Sequence, residues 1–481
     1  MASRDPKKPN VVFILTDDQG AWAMGCAGNK EIRTPNLDRL AARGVRCENF
    51  FCASPVCSPA RASIMTGRIP SQHGVLDWLS GGNTGEDAVE FLQGQLAYTD
   101  VLAAGGYVCG ISGKWHMGDS FKPQKSFTHW YVHTKGGSNY HDAPMIRDGV
   151  LVEEPGYLTE VITDDALNYL RRQADGEKPF YLSVHYTAPH SPWINQHPQE
   201  IVDSYDDCPF ESCPEEPPHP WAFKTSPGPE NRKENLKGYF SAITAMDGQV
   251  GRILDLVEEL ELAENTLICF MGDNGENCGH HGIWGKGNGT FPQNMYDTSV
   301  KVPAIFSQPG RVSQGVVCEE LLSQYDFMPT LLEYVGLDNP VAEGLPGRSF
   351  AALLEGAESA AEVASKGGES GDGRDSVVVF DEYGPVRMIR SKTWKYVHRY
   401  PYGPHELYDL VGDPGERTNL VDTPEYREVK EAMKAKLEEW YVRYVDPRVD
   451  GVREPVTGKG QMALAGPAGK GVKAFTDKGR K

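Results

Sequence analysis

Val11-Val12-Phe13-Ile14-Leu15-Thr16-Asp17-Asp18 is a run of β-branched and bulky apolar residues closed by two aspartates. It is short and apolar at every position rather than at alternate ones. That pattern predicts a strand over 11–16 buried on both faces, in a sheet covered by helices on each side. Runs of the same kind predict strands over 107–112, 180–187, 266–271 and 303–307. Apolar residues at helical spacing predict helices over 159–173 and 239–260, and Thr34-Pro35-Asn36 opens another that carries Leu37, Leu40 and Ala41. Strands alternating with helices predict an α/β fold with a large, mostly parallel sheet. Ligands in such folds bind beyond the carboxyl ends of the strands, so the polar residues there are the ones to inspect.

At 481 residues the chain has room for a large domain and a smaller one. The expected division is a catalytic domain over 1–370, a subdomain over 376–450 and a Gly/Lys-rich tail over 451–481. Gly, Ser, Ala and acidic residues over 355–375 read as a linker or exposed loop. Beyond them, short antiparallel strands are expected over 377–380, 386–391 and 394–398, then a closing helix over 425–444. Segment 203–232, rich in Pro and acidic residues, is long for a plain connection and is expected to form part of a substrate wall. The tail has no periodicity. It reads as disordered or as wrapping a neighbouring copy, which leaves a homo-oligomer open.

The net charge of −19 argues against nucleic acid and anionic lipid as partners, and favours a small substrate over a long polyanion. No stretch reaches the ~18 consecutive apolar residues of a membrane helix. The first residues show no apolar run of the signal type, so the expected location is the cytoplasm. The ten cysteines follow no regular spacing and are expected to be free thiols. Cys208 and Cys213, five residues apart with no second pair at zinc-ligand spacing, could otherwise form a disulfide or half a metal site.

Asp17-Asp18 and Asp273-Asn274-Gly275 each close a hydrophobic strand. Either alone reads as a turn or a helix cap. Together they offer three carboxylates and an amide oxygen, a hard-oxygen set suited to Ca²⁺ or Mg²⁺ rather than zinc. Cys57-Ser58-Pro59-Ala60-Arg61 sets a cysteine just before a proline-initiated helix, where the dipole and free amides favour an anion, with Arg61 one turn on. The plainer reading is a buried thiol and a helix-start proline. Ser112-Gly113-Lys114-Trp115-His116-Met117-Gly118 follows one strand and Ala188-Pro189-His190-Ser191-Pro192 another. In Trp284-Gly285-Lys286-Gly287 the glycines would let an anion come close. His185, inside its strand, is expected to be a packed core histidine.

The string from Cys57 through Thr66-Gly67-Arg68 to His73-Gly74-Val75 resembles the signature of the type I, formylglycine-dependent sulfatases of the alkaline phosphatase-like superfamily. The other segments match that family in the same order over 11–307, with a weaker echo at Glu406-Leu407-Tyr408-Asp409-Leu410 and Asp413-Pro414-Gly415-Glu416. The resemblance implies an α/β/α sandwich with a large mixed, mostly parallel sheet, plus a smaller C-terminal α+β subdomain with a short antiparallel sheet. It also implies a maturation enzyme that oxidises Cys57 to formylglycine. One divalent cation, Ca²⁺ favoured and Mg²⁺ open, would be held by Asp17, Asp18, residue 57, Asp273 and Asn274.

In the family's cycle the hydrated aldehyde attacks sulfur, with Asp273 accepting the nucleophile's proton. Arg61, Lys114 and Lys286 would hold the sulfate oxygens or the diol. His190 would protonate the leaving oxygen, and His116 would take a proton from the second hydroxyl to expel sulfate. The expected substrate is a small sulfated mono- or oligosaccharide. Asp77, Trp78, His141, Asp142, His219, Trp221, Arg387 and His405 are the pocket candidates. A phosphonate monoester or phosphodiester hydrolase with the same nucleophile, and a catalytically silent binding protein, are the competing readings.

Overall fold

In the computed structural model, which describes residues 8–223, 227–356, 375–381, 386–454, 456 and 458–476, the opening apolar run forms strand β1 (Asn10–Thr16). Its side chains divide between two cores. Val11, Phe13 and Leu15 enter one with Cys269, Met271 and Phe327. Val12 and Ile14 enter the other with Leu182, Val184, Ile243 and Phe270. A strand flanked by core on both faces has no use for alternation, hence its unbroken apolar sequence.

The large sheet holds ten strands. In chain order they are β1, β2 (Val45–Phe51), β3 (Val108–Lys114), β4 (His129–His133), β5 (Ala143–Arg147), β6 (Val150–Glu154), β7 (Phe180–His185), β8 (Thr266–Gly272), β9 (Ala304–Ser307) and β10 (Val316–Ser323). Their spatial order is β10-β2-β9-β8-β1-β7-β3-β4-β5-β6. The central strands β8, β1, β7, β3 and β4 run parallel, whereas β9, β5 and β6 join their neighbours antiparallel. Helices Pro35–Ala42, Leu158–Ala174 and Arg232–Glu259 contribute to the second core, and Cys57–Thr66, Tyr98–Ala104 and Phe327–Tyr334 to the first. The arrangement is an α/β/α sandwich.

A second sheet, β11 (Val377–Asp381), β12 (Val386–Arg390), β13 (Trp394–Arg399) and β14 (Glu406–Asp409), is antiparallel throughout. Ile389, Tyr396 and Leu407 on one face bury against Met433, Leu437 and Tyr441 of helix Arg427–Tyr444. The sheet is fastened to the large one by a buried charge cluster. Lys395, with its side chain fully buried, donates to the Met295 carbonyl (2.9 Å) and Asp297 Oδ1 (2.6 Å) and pairs with Glu416, while Arg390 also bonds Asp297.

Several expectations change in detail. Strand β3 runs on through Lys114, so that lysine belongs to the strand and not to the loop after it. The helix expected over 239–260 begins at Arg232. Strands β2, β4, β5, β6 and β10 escaped the sequence reading. Most of these mix polar and charged residues with apolar ones, as strands near a sheet edge do when one face meets water. All ten cysteines are free, including Cys208 and Cys213. The tail is neither periodic nor shapeless over 458–476: it returns to its own chain, where Gln461 bridges both Leu79 and Phe475. Most of the expected linker, 357–374, lies outside the described residues. Among the described residues, no helix is long and apolar enough to cross a membrane.

Candidate active site

The sheet order brings the polar strand ends together. β1 pairs with β8 so that Thr16 faces Gly272, which sets Asp17 beside Asp273. On the other side of β1, Leu15 faces His185 of β7, whose exit carries His190. β3 pairs next, Gly113 opposite His185, and delivers Lys114 and then His116. Four neighbouring strands therefore contribute to one carboxyl edge. Cys57 arrives separately, as the first residue of helix Cys57–Thr66. The helix begins at the cysteine itself, two residues ahead of Pro59, whose missing N–H falls in the first turn where no intrahelical bond is lost.

Asp17, Asp18 and Asp273 are buried, with one carboxylate oxygen from each within 4.8 Å of the others. Asp18 adopts a left-handed backbone (φ 64°), held by hydrogen bonds from its N–H to Asp273 Oδ1 (3.2 Å) and from Tyr239 Oη to its carbonyl (3.0 Å). Asn274 Nδ2 donates to Asp18 Oδ1 (2.7 Å). Asp17 Oδ1 and Asn274 Oδ1 are buried acceptors without a partner. Orphaned hard oxygens beside clustered carboxylates are the donor set that Ca²⁺ or Mg²⁺ takes, so the residues present fit a divalent cation.

The charges around this cluster are distributed unevenly. Lys114 pairs with Asp17 and Lys286 with Asp18. Burial opposes ionising Asp17, but Lys114, His190, Arg61 and Lys286 outweigh it and hold the carboxyl well below its ordinary pKa. Burial and the adjacent Asp17 charge push Asp273 well above, a repulsion that a bound cation relieves. Burial likewise opposes ionising Cys57, yet Lys114 and Lys286 outweigh it and lower the thiol. The start of a helix favours the same direction.

Arg61 donates from Nε to Asp273 Oδ2 (2.9 Å) and from Nη1 to the Lys114 carbonyl (3.1 Å). It is 1% exposed and does not line the cavity described below. His116 has its Nδ1 3.2 Å from Ser58 Oγ and its Nε2 3.1 Å from the Leu79 carbonyl. A carbonyl only accepts, so Nε2 carries the proton and Nδ1 accepts from the serine hydroxyl. Burial, then the Lys114 charge, hold this imidazole well below its usual pKa. His190 Nδ1 donates to the Ser191 carbonyl (2.5 Å), and Nε2 lies 3.8 Å from Asp18 Oδ2. His185 is a core residue, edge-on to Phe13 with Nδ1 3.2 Å from the Lys114 carbonyl.

Cys57, His116, His190 and Lys286 open into a cavity of about 670 Å³. One wall is the loop from Trp78 to Thr84 and another is Lys135 to Asn139, with Asn288 at the side. The second wall depends on its glycines: a Cβ at Gly136 would fall 2.5 Å from the His116 ring, and one at Gly137 would touch His190. Of the sequence candidates for the pocket, Trp78 lines it. Asp77 lies beneath, accepting from Gly460 N (3.1 Å). The lining takes nothing from His141, Asp142, His219, Trp221, Arg387 or His405. Arg387 instead pairs with Asp450, and His405 stacks on His398. Segment 203–232, expected as a wall, packs through Pro214 and Pro217 against Gly279 and Gly282 and contributes no lining residue among those described.

Lys135, Ser138, Asn139 and Asn288 were missed. Lys135-Gly136-Gly137-Ser138-Asn139 was open to detection as a glycine turn carrying a lysine. Glu276 was missed too. Buried, and pushed up to about 8 by burial with Asp18 adding to it, Glu276 accepts from the amides of Asn277 and Gly285 and so shapes the loop that delivers Lys286.

The family model Sulfatase matches residues 9–337, and N-sulphoglucosamine sulphohydrolase, C-terminal, matches residues 279–443. The chain is 26% identical to the N-acetylglucosamine-6-O-sulfatase of Bacteroides thetaiotaomicron, over 96% of this chain and 91% of that protein. It is 30% identical to an ulvan-active sulfatase of Formosa agariphila, over 90% and 81% respectively. A solved structure of a protein in complex with its substrate, D-glucosamine-2-N,6-O-disulfate, superposes with a TM-score of 0.77 at 24% identity, covering 92% of this chain and 99% of that one.

Proposed function

Because the chain belongs to the sulfatase family, and is therefore a hydrolase of sulfuric esters, we propose that it removes sulfate from a sulfated mono- or oligosaccharide, with Cys57 converted to formylglycine as its nucleophile. The observation that carries this reading is that Cys57, at a helix start and in the lining of one polar cavity, feels the charges of Asp17 and Asp18, which cluster with Asp273 beside the unpartnered oxygens of Asp17 and Asn274. A volume of about 670 Å³ suits a small ligand rather than the body of a polymer. The relatives named for sulfated sugars support the same substrate class.

Asp17, Asp18, Asp273, Asn274 and residue 57 would hold one divalent cation, Ca²⁺ by preference. When present, the hydrated aldehyde at residue 57 would supply the nucleophilic oxygen and the cation the Lewis acidity that lowers its pKa. Lys286 reaches the cavity and offers fixed positive charge to sulfate oxygens, with Lys114 behind it. Arg61 acts through others, holding Asp273 and the Lys114 carbonyl in place. His190, in the cavity lining with Nε2 left for a proton, protonates the leaving oxygen. His116, kept neutral by burial, is the base that completes sulfate release. A maturation enzyme that oxidises Cys57 is the required transient partner.

The test is the mass of tryptic peptide 47–61 from active enzyme, measured beside sulfate release. Replacement of the Cys57 sulfur by a carbonyl oxygen, with turnover lost in Cys57→Ala, is the expected result. An unmodified cysteine in fully active enzyme refutes the nucleophile.

A further inference from the structure

The tail beyond helix Arg427–Tyr444 lies past both family matches, which end at residues 337 and 443. Its segment 458–476 nevertheless touches the loop that walls the cavity. Gln461, fully buried, accepts from Leu76 N at Oε1 (2.8 Å) and donates from Nε2 to the Gly74 and Ala463 carbonyls (2.9 and 3.0 Å). Its backbone N–H donates to the Trp78 carbonyl (2.8 Å) and its carbonyl accepts from Ser80 N (3.0 Å), a strand-like bridge to Leu79. Beside it, Gly460 (φ 115°) sits so close to Ser80 that a Cβ would fall 2.2 Å from the Ser80 hydroxyl. Leu76, Ala465, Ala474 and Phe475 close a small apolar cluster over these bonds.

The bridged residue is the one that holds His116. Leu79 accepts from His116 Nε2 at its carbonyl (3.1 Å), and its N–H donates to Ser58 Oγ (3.2 Å), the group that faces His116 Nδ1. Both anchors of the imidazole therefore depend on where Leu79 sits. Leu79 sits where Gln461 pairs with it.

We propose that segment 460–475 is a strap that sets the 76–84 wall of the substrate pocket, and that Gln461 is a positioning residue which orients His116 through Leu79. The part that concerns rate rests on the reading of His116 as a proton-transfer residue. The part that concerns the wall does not. Seven hydrogen bonds in all tie Gly460 and Gln461 to residues 74–80, counting the weaker Asp77 N and Ser80 Oγ contacts. With the side-chain bonds of Gln461 removed, the wall is free to shift by an ångström or so, and misplacement on that scale lowers rates by roughly 10²-fold.

The test measures kcat and KM for 4-nitrophenyl sulfate at 25 °C in Q461A, H116A and V442A, the last altering an exposed residue of helix Arg427–Tyr444 outside the strap. Q461A is expected to lose roughly 10- to 100-fold in kcat and to show a raised KM, while V442A matches wild type. A purely structural role would lower the melting midpoint and leave both constants of the folded enzyme alone. Wild-type constants in Q461A beside an inactive H116A overturn the strap. An active H116A overturns the proton-transfer reading alone, and the strap is then judged on the Q461A KM. If Q461A does not fold, hydrogen exchange in the wild type decides: slow exchange at Leu76, Ser80 and Met462 together supports the strap, and fast exchange at Leu76 and Ser80 overturns it.

Discussion

Lys395→Met isolates the clamp between the two sheets. Lys395 is buried and bonds the Met295 carbonyl and the carboxylates of Asp297 and Glu416. Methionine keeps most of the volume and removes the charge. Asp297 retains Arg390 at 3.1 Å, but Glu416 loses its cation. Breaking a buried pair by removing one partner costs about 3–5 kcal/mol. At about 2.1 cal/mol/K per residue, a chain of this size unfolding as one unit has an unfolding entropy of roughly 1 kcal/mol/K, so the midpoint should fall by roughly 3–5 °C.

Proton linkage sharpens the expectation. Burial, with Asp297 adding to it and Lys395 opposing it, pushes Glu416 up to about 7. Without Lys395 that value rises further. A carboxyl raised above its unfolded pKa loses stability as pH rises through the window between the two values, so the deficit of the variant should widen from pH 6 to pH 8. Differential scanning calorimetry at both pH values is the assay. Lys395→Met/Glu416→Gln, which leaves no unpaired charge on Glu416, should recover most of the loss. A shift below about 1 °C that is the same at both pH values would refute the clamp as an energetic feature.

Three further outcomes are expected. His190→Ala should lower kcat by about 10²–10⁴-fold on a sulfated sugar, whose alkoxide leaves poorly, and by far less on 4-nitrophenyl sulfate; equal losses on both would exclude a general acid. Dialysis against a chelator should lower the melting temperature and abolish turnover, with Ca²⁺ or Mg²⁺ restoring both; fully active enzyme free of divalent metal by elemental analysis would contradict a cation at Asp17, Asp18 and Asp273. Burial, with Arg68 adding to it, lowers His73 to about 3. A base depressed from 6.5 keeps its full contribution above pH 6.5 and loses it as pH falls toward 3, roughly 5 kcal/mol across the window. His73→Gln should therefore take up nearly one proton fewer on unfolding at pH 5, and an unchanged uptake would place the titrating group elsewhere.

The chemistry-bearing residues were legible because each stands at a place that local sequence marks. Asp17-Asp18 and Asp273-Asn274 close apolar strands, His190 follows another within a few residues, and Cys57 starts a helix. Contiguous strings of this kind carry their own pattern and need no knowledge of the neighbouring strand. The α/β class followed from the same source, since a strand covered on both faces writes an unbroken apolar run.

What surrounds those residues was decided by the tertiary structure. Strand order β8-β1-β7-β3, absent from any local pattern, gathers four separate strand ends at one edge. It places Arg61 against Asp273 and the Lys114 carbonyl, partners that spacing alone did not name. The pocket walls come from Lys135–Asn139 and from a loop held by Gln461, whose partners Leu76 and Trp78 lie far upstream in the chain. Contacts at such separations obey no periodicity. They exist only once the sheet has closed and water has left the buried amides, so the sequence names the reacting groups while the folded chain settles their orientation and the shape of the space above them.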